Sequence, residues 1–282
     1  MKTSTSFRAL QIKARHQVYT LLSGNNLSKL HGEGYDLSEL REYQPGDDVR
    51  KINWIITAKQ GKPYIKELHA NRELSVVITA MMSGSLYFAE GNAKQKSLAE
   101  VATLLGYAAY QNGDLFSGLG YYENSTTFVP PTKQLFSIES FATKLYDAET
   151  LGTTLAYDTC MQDLFARTDK PSLIFIIGDF LQPVDLSLLA QKHEVIALII
   201  RDRSEEDPQR LKQMIHGEVI LKDPQSNDQM NTFFGKGTIK RYLARLKEND
   251  EVLTTHFSRH GIRYTKIYTD EEAIGKLIGL FL

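Results

Sequence analysis

The chain has 282 residues, enough for one large or two modest domains with a sizeable core. Its net charge of −1 lacks the basic excess of a general nucleic-acid binder, and its single cysteine, Cys160, excludes internal disulfides and thiolate zinc sites. Apolar content of 42% and charged content of 24% suit a soluble globular protein. No window reaches ~18 consecutive apolar residues, and no apolar core follows Met1, so neither a membrane span nor a signal peptide is expected, and the cytoplasm is the expected compartment.

In chain order, residues 7–30 have the spacing of a helix, with a basic start at Lys2, Arg8, Lys13 and Arg15. That face is either solvated or in contact with a membrane surface or a partner. The next forty residues are dense in turn signals. Pro45-Gly46 presets a tight turn, Asp47 and Asp48 follow it, and Trp54, the only tryptophan, is expected as a buried anchor. Acids beside Arg41, Arg50 and Lys51 suit ion-paired loop anchors. They also suit an acid/base couple or a metal site. A short strand is expected at 64–68.

From Leu74 onward strands and helices alternate. Strands are expected at 74–82, 116–122, 127–129, 172–177, 194–200, 218–221 and 263–268. Helices are expected at 94–112, 133–146, 153–167, 184–192, 206–215, 238–260 and 270–281. Unalternating runs such as Ile196 to Ile200 suit strands covered on both faces, hence a largely parallel sheet. Cys160, inside a helical run, is expected in the core.

Three loop ends carry polar groups: Ser83-Gly84-Ser85, Gly152-Thr153 and Gly178-Asp179. In an open α/β sheet, ligands bind where strands end in loops, so the three are expected to converge. Three hydroxyls and a carboxylate form a hard oxygen-donor set, which suits Mg²⁺ or Mn²⁺. They equally suit loop and helix-cap groups that satisfy one another. The pair His256/His260, four residues apart on a helix, has no third ligand in view. No phosphate-loop or nucleophile-elbow motif is present.

The segment LREYQPGDDVRKINW, Leu40 to Trp54, resembles the signature of the bacterial family called domain of unknown function fifty-eight. The signature positions are Arg41, Tyr43, Pro45, Gly46, Asp47, Asp48, Arg50 and Trp54. The family's usual Asp before Trp is Asn53 here, and its usual Arg after Ala58 is Lys59. HEVIALIIRDRSEED, LKDPQSNDQMNT and HGIRYTKIYTDE extend the resemblance over residues 30–280. It implies an α/β fold: a Rossmann-like von Willebrand factor A-type domain with a mostly parallel central sheet, plus a smaller N-/C-terminal subdomain. It also implies a metal-ion-dependent adhesion site in which Ser83, Ser85, Thr153 and Asp179 match the pattern and Met81 replaces the first acid. That site is degenerate, because a thioether cannot replace a carboxylate toward a hard cation. No cofactor is expected beyond weak Mg²⁺ or Mn²⁺.

The expected organisation is an N-terminal helix at 1–29, a signature segment at 30–71 packing with the C-terminal part, an A-like domain at 72–204 and an αβ extension at 205–282. The expected function is a non-enzymatic protein–protein interaction module. The resemblance implies a MoxR-type AAA+ ATPase as partner, with other A-type proteins beside it, in chaperone-like complex assembly or maturation. The competing classes are a metal-dependent hydrolase using Asp47, Asp48 and Asp179, and a structural module of a membrane-associated assembly.

Overall fold

The computed structural model describes residues 39–44, 47, 49, 52–67, 74–88, 92–123, 125–214, 217–222 and 229–280. The helix expected at 7–30 lies outside these residues. So do Pro45, Gly46, Asp48 and Arg50 of the signature, and the side chain of Arg41. The described residues fall into two compact units, 39–67 and 74–280.

In the first unit, β1 (Glu39–Glu42) pairs antiparallel with β2 (Tyr64–Glu67), and helix α1 (Trp54–Gln60) lies between them in sequence. Neither β1 nor α1 was expected. The β-branched start of α1 is weakly helical on its own. Asn53 supplies the cap: its side chain accepts the Ile56 N–H at 3.4 Å, as an Asp there would. Gly61, at φ +71°, ends the helix and returns its N–H to the Thr57 carbonyl. The signature turn is partly visible, with the Asp47 carboxylate accepting the Gln44 N–H at 2.8 Å. Trp54 is 69% exposed, and Ile55 beside it is exposed as well. The expectation of a buried tryptophan anchor is therefore corrected: Trp54 opens α1 with its ring toward solvent.

The second unit is a three-layer α/β domain. In chain order it comprises β3 (Ser75–Met81), a 3-10 turn (Gly84–Tyr87), α2 (Ala93–Asn112), β4 (Leu115–Tyr121), β5 (Thr126–Thr132), α3 (Leu135–Tyr146) and α4 (Tyr157–Arg167). It continues with β6 (Leu173–Gly178), α5 (Ser187–Ala190), β7 (Glu194–Arg201), α6 (Arg203–Glu206) and α7 (Pro208–Met214). It ends with β8 (Gly217–Lys222), β9 (Gln229–Phe234), α8 (Lys236–Arg259), β10 (Arg263–Tyr268) and α9 (Ala273–Gly279).

The main sheet has six strands in the order β10-β7-β6-β3-β4-β5, all parallel except β5, which returns antiparallel to β4. Counted from β3 this is the doubly wound order 3-2-1-4-5-6, a Rossmann-like arrangement with one reversed edge. The mostly parallel α/β fold is as the sequence indicates. The sheet extends past residue 204, the boundary drawn for the A-like domain, because β10 pairs with β7 from Arg263 opposite Ile196 to Tyr268 opposite Arg201. β8 and β9 form a separate antiparallel hairpin, of which only the first strand was expected. The helix expected at 184–192 shrinks to Ser187–Ala190, because the chain turns at His193, whose N–H returns to the Leu189 carbonyl.

Strand side chains alternate between the two faces. On one face Val77 and Met81 join Ile174, Ile176, Val195, Ala197 and Ile199 in an apolar cluster with side chains of α4, α5 and α8. Cys160 belongs to this cluster, as expected, and burial followed by the Asp163 charge pushes its thiol up to about 11. α2 and α3 cover the opposite face. There α2 and α3 approach closely at Gly106, where a Cβ would lie 2.5 Å from the Ile138 methyl.

Candidate functional site

β3 and β6 are neighbours, yet the chain leaves β3 toward β4 and re-enters at β6 on the other side. Their carboxyl ends are therefore a topological switch point, where loops diverge and leave a crevice. Ser83 follows β3 and Asp179 follows β6. The loop before α4 brings Thr153 to the same edge.

Backbone and side-chain bonds stitch these loops together. The Gly84 N–H donates to the Thr153 carbonyl at 2.9 Å. The Thr153 hydroxyl donates to the Thr150 carbonyl at 2.6 Å, with the Met82 carbonyl 3.2 Å away. The Ser83 and Ser85 hydroxyls are hydrogen-bonded to each other at 2.6 Å, in a buried position. Tyr157, from the first turn of α4, is buried and hydrogen-bonded to Ser83. Burial, then the nearby Asp179 charge, raises its phenol well above the ordinary tyrosine range. Ser83, Ser85 and Thr153 thus converge as the sequence suggests, with their hydroxyls spent on one another and on carbonyls.

Asp179 is fully buried, and its partner is Lys94, a residue the sequence reading passed over. The Lys94 ammonium lies 3.2 Å from Asp179 Oδ2 and 2.7 Å from Glu205 Oε1, and all three side chains are at most 1% exposed. The Phe88 ring stands 5.6 Å from the ammonium. Glu205 is held in turn by a capping box. Its second oxygen accepts the Asp202 N–H at 3.0 Å, while the Asp202 carboxylate accepts the Ser204 N–H at 2.8 Å. Asp179 Oδ1 has no hydrogen-bond partner. Asn92 and Phe180 are the two non-glycine residues with positive φ among the described residues, at +58° and +48°. They stand two residues before Lys94 and one after Asp179, so the backbone on both sides of this pair takes a conformation costing about 1–2 kcal/mol per residue.

Behind the pair, Arg201 at the end of β7 is also fully buried. It donates to Asp250 at 2.8 Å, and Lys266 bridges Asp250 and Glu206 at 2.9 and 2.6 Å. Burial works to lower the Lys266 ammonium, but the hydrogen bonds to Glu206 and Asp250 outweigh it and raise it. Arg201, Asp250, Lys266 and Glu206 thus form a second group of paired charges between the end of β7 and β10.

A divalent ion does not fit this arrangement. The first acid is Met81, which packs in the apolar cluster with Leu155, Tyr157 and Phe180. Asp179 already faces an ammonium at 3.2 Å. Among the described residues no group of three His, Cys, Asp or Glu side chains could hold a metal. The His256 and His260 rings lie tilted against each other with centroids 4.7 Å apart, and His256 Nε2 accepts the Leu186 N–H at 3.0 Å, which commits that lone pair. Among the described residues no helix is long and apolar enough to cross a membrane.

Lys94 escaped the sequence reading because a lysine in a helix's first turn normally lies in solvent. The one available signal was its sign, since the positive end of a helix disfavours a cation. Glu205 and Arg201 lie in HEVIALIIRDRSEED, the second segment of the resemblance, where their burial was not foreseen.

Comparison with known proteins agrees with the family resemblance. The chain is 27% identical over 234 residues to the uncharacterized proteins Rv1480 of Mycobacterium tuberculosis and Mb1516 of Mycobacterium bovis, covering 80% of this chain and 72% of theirs. Among solved structures it is similar to the conserved hypothetical protein BatB from Bacteroides thetaiotaomicron, at 11% identity and a TM-score of 0.41, covering 73% of this chain and 96% of that one. It is also similar to the SpRpn10 VWA domain, at 11% identity and a TM-score of 0.38, covering 73% and 94%. The family model described as "Protein of unknown function DUF58" matches residues 39–251, and the chain belongs to that family.

Proposed function

We propose that this chain is a non-catalytic protein-interaction module that docks its partner on the loop edge above β3 and β6. The observation that carries this reading is the division of labour at that edge. Its hydroxyls are committed to one another and to carbonyls, while Tyr87 and Leu151 stand exposed at 44% and 39% on the two stitched loops. A rigid edge with an aromatic and an aliphatic side chain standing out of it is the kind of surface from which interface anchors are drawn. Asp179, fully buried and ion-paired, holds this edge rather than contacting the partner. The partner is a MoxR-type AAA+ ATPase, the one implied by the family resemblance, and the work is assembly or maturation of a larger complex. Other A-type proteins are further partners of the same kind.

The test is the affinity of the purified chain for a MoxR-type ATPase from the same organism. Tyr87→Ser and Leu151→Ser should each weaken binding by about tenfold, roughly 1.4 kcal/mol, with Tm unchanged. Both variants binding the ATPase as tightly as the parent would remove the edge from the contact. A parent that does not bind the ATPase would remove the partner.

A further inference from the structure

We propose that the Lys94 ammonium is the permanent cation of this loop edge, paired with Asp179, the acid that the family resemblance would assign to a divalent ion. The inference rests on the buried ion triad and holds whichever partner docks on the rim. Lys94, Asp179 and Glu205 are each at most 1% exposed, and the ammonium is within 3.2 Å of one carboxylate and 2.7 Å of the other. Charges of this kind persist in a core only when paired. The triad carries one positive and two negative charges.

Lys94 comes from the first turn of α2, Asp179 from the end of β6, and Glu205 from α6, the short helix after β7. One ammonium therefore ties together the entries of α2 and α6 and the end of β6, the task a multivalent ion performs through several oxygen ligands. Two features make the position costly, so the two carboxylates must outweigh them. The ammonium sits in the first turn of α2, against the helix dipole. The residues flanking the pair, Asn92 and Phe180, hold positive φ. A tethered cation needs no free ion, so the edge keeps one arrangement at any Mg²⁺ concentration. It is also sealed from solvent, so no partner carboxylate can reach it, and recognition falls to the exposed rim.

This changes what a carboxylate at position 81 would do. Met81→Asp alone adds an anion beside a site that already contains its cation. Metal binding needs the ammonium removed as well.

The test is thermal unfolding of the full chain with Mg²⁺, Mn²⁺ or a chelator. The parent's Tm should respond to none of them. Lys94→Ala should lower Tm by leaving Asp179 and Glu205 face to face. That loss should be partly recovered by divalent ions. Met81→Asp alone should stay unresponsive. Met81→Asp combined with Lys94→Ala should gain about 5 °C at about 10 mM Mg²⁺, as expected for roughly 0.1 mM affinity in a chain of this size. If Lys94→Ala does not fold, the neutral variant Lys94→Met/Asp179→Asn/Glu205→Gln decides. Folding without a metal response supports the pairing role, because a buried ion cluster can be replaced by neutral groups. Failure of this variant overturns the inference, as does a parent stabilised by Mg²⁺ or a Lys94→Ala variant as stable as the parent.

Discussion

At Lys94 and Trp54 side-chain type and environment disagree, and the disagreement runs in opposite directions. Lys94 is charged yet buried, and Trp54 is aromatic yet exposed. A buried tryptophan replaced by alanine costs about 3–5 kcal/mol through lost transfer energy and an unfilled cavity. At 69% exposure neither term applies. Trp54→Ala should therefore shift stability by no more than about 0.5 kcal/mol, the range of ordinary surface substitutions. Asn53→Ala, which removes the cap of α1, should cost more, about 1 kcal/mol. Chemical denaturation of both variants checks the order, and a Trp54→Ala loss larger than that of Asn53→Ala would show the indole to be an anchor after all. Single side chains were the least legible part of the sequence. Ser83, Ser85, Thr153 and Asp179 could be found because each follows a strand end or a glycine turn. Lys94 could not, because its partners are 85 and 111 residues away, and nothing in local spacing reports a contact of that range.

At the scale of elements, legibility followed hydrophobic periodicity. β3, β6 and β7 announce themselves as apolar runs because both their faces are covered. α1, β1 and β9 do not, because a cap or a pairing partner creates them rather than a strong intrinsic preference. The long helix α8 was expected from its spacing, but how it is held was not. His256 accepts the Leu186 N–H at 3.0 Å, a bond that exists only while Nε2 is unprotonated. Burial lowers its pKa, and His260 and Arg259 push the same way, against the opposing pull of Asp185 at 3.6 Å. His193, buried with neither ring nitrogen partnered, is also lowered, by burial and then by Lys192. For both groups the folded value lies below the unfolded value of about 6.5, so the unfolded chain takes up protons first. Their stabilisation is complete above about pH 6.5 and is lost as pH falls through the folded values. Tm should therefore fall between about pH 7 and about pH 5, above the range where Asp163, Asp185 and Asp202 begin to protonate. His256→Asn and His193→Phe should each flatten that slope. An unchanged slope in the double variant would assign the effect to other groups.

Across the whole molecule the sheet sets a gradient of stability, and the loop edge is attached at its stable end. β3 pairs with β4 and β6, and β6 pairs with β3 and β7, so both rows of backbone groups on these strands are bonded. Their central side chains, Ile78 and Ile176, are fully buried. Each edge strand has a bonded neighbour on one side of the sheet. β5 also contains Pro130 and Pro131, which have no N–H to give, while β10 buries Ile267 and leaves its other side chains partly or fully exposed. Local opening removes the least buried surface at such edges, so they should open first. In native-state hydrogen exchange, amides of residues 76–80 and 174–177 should exchange only through global unfolding, with one common free energy and the full denaturant dependence. Amides of 126–132 and 263–268 should exchange earlier, with weak denaturant dependence. Ser83 and Asp179 follow the two most protected strands at once, so a partner pressing on that edge meets a surface whose supports move only when the whole domain unfolds. Exchange in β3 or β6 as fast as in β5 would mean that the edge rests on a locally unfolding unit. Binding there would then have to include the free energy of ordering it.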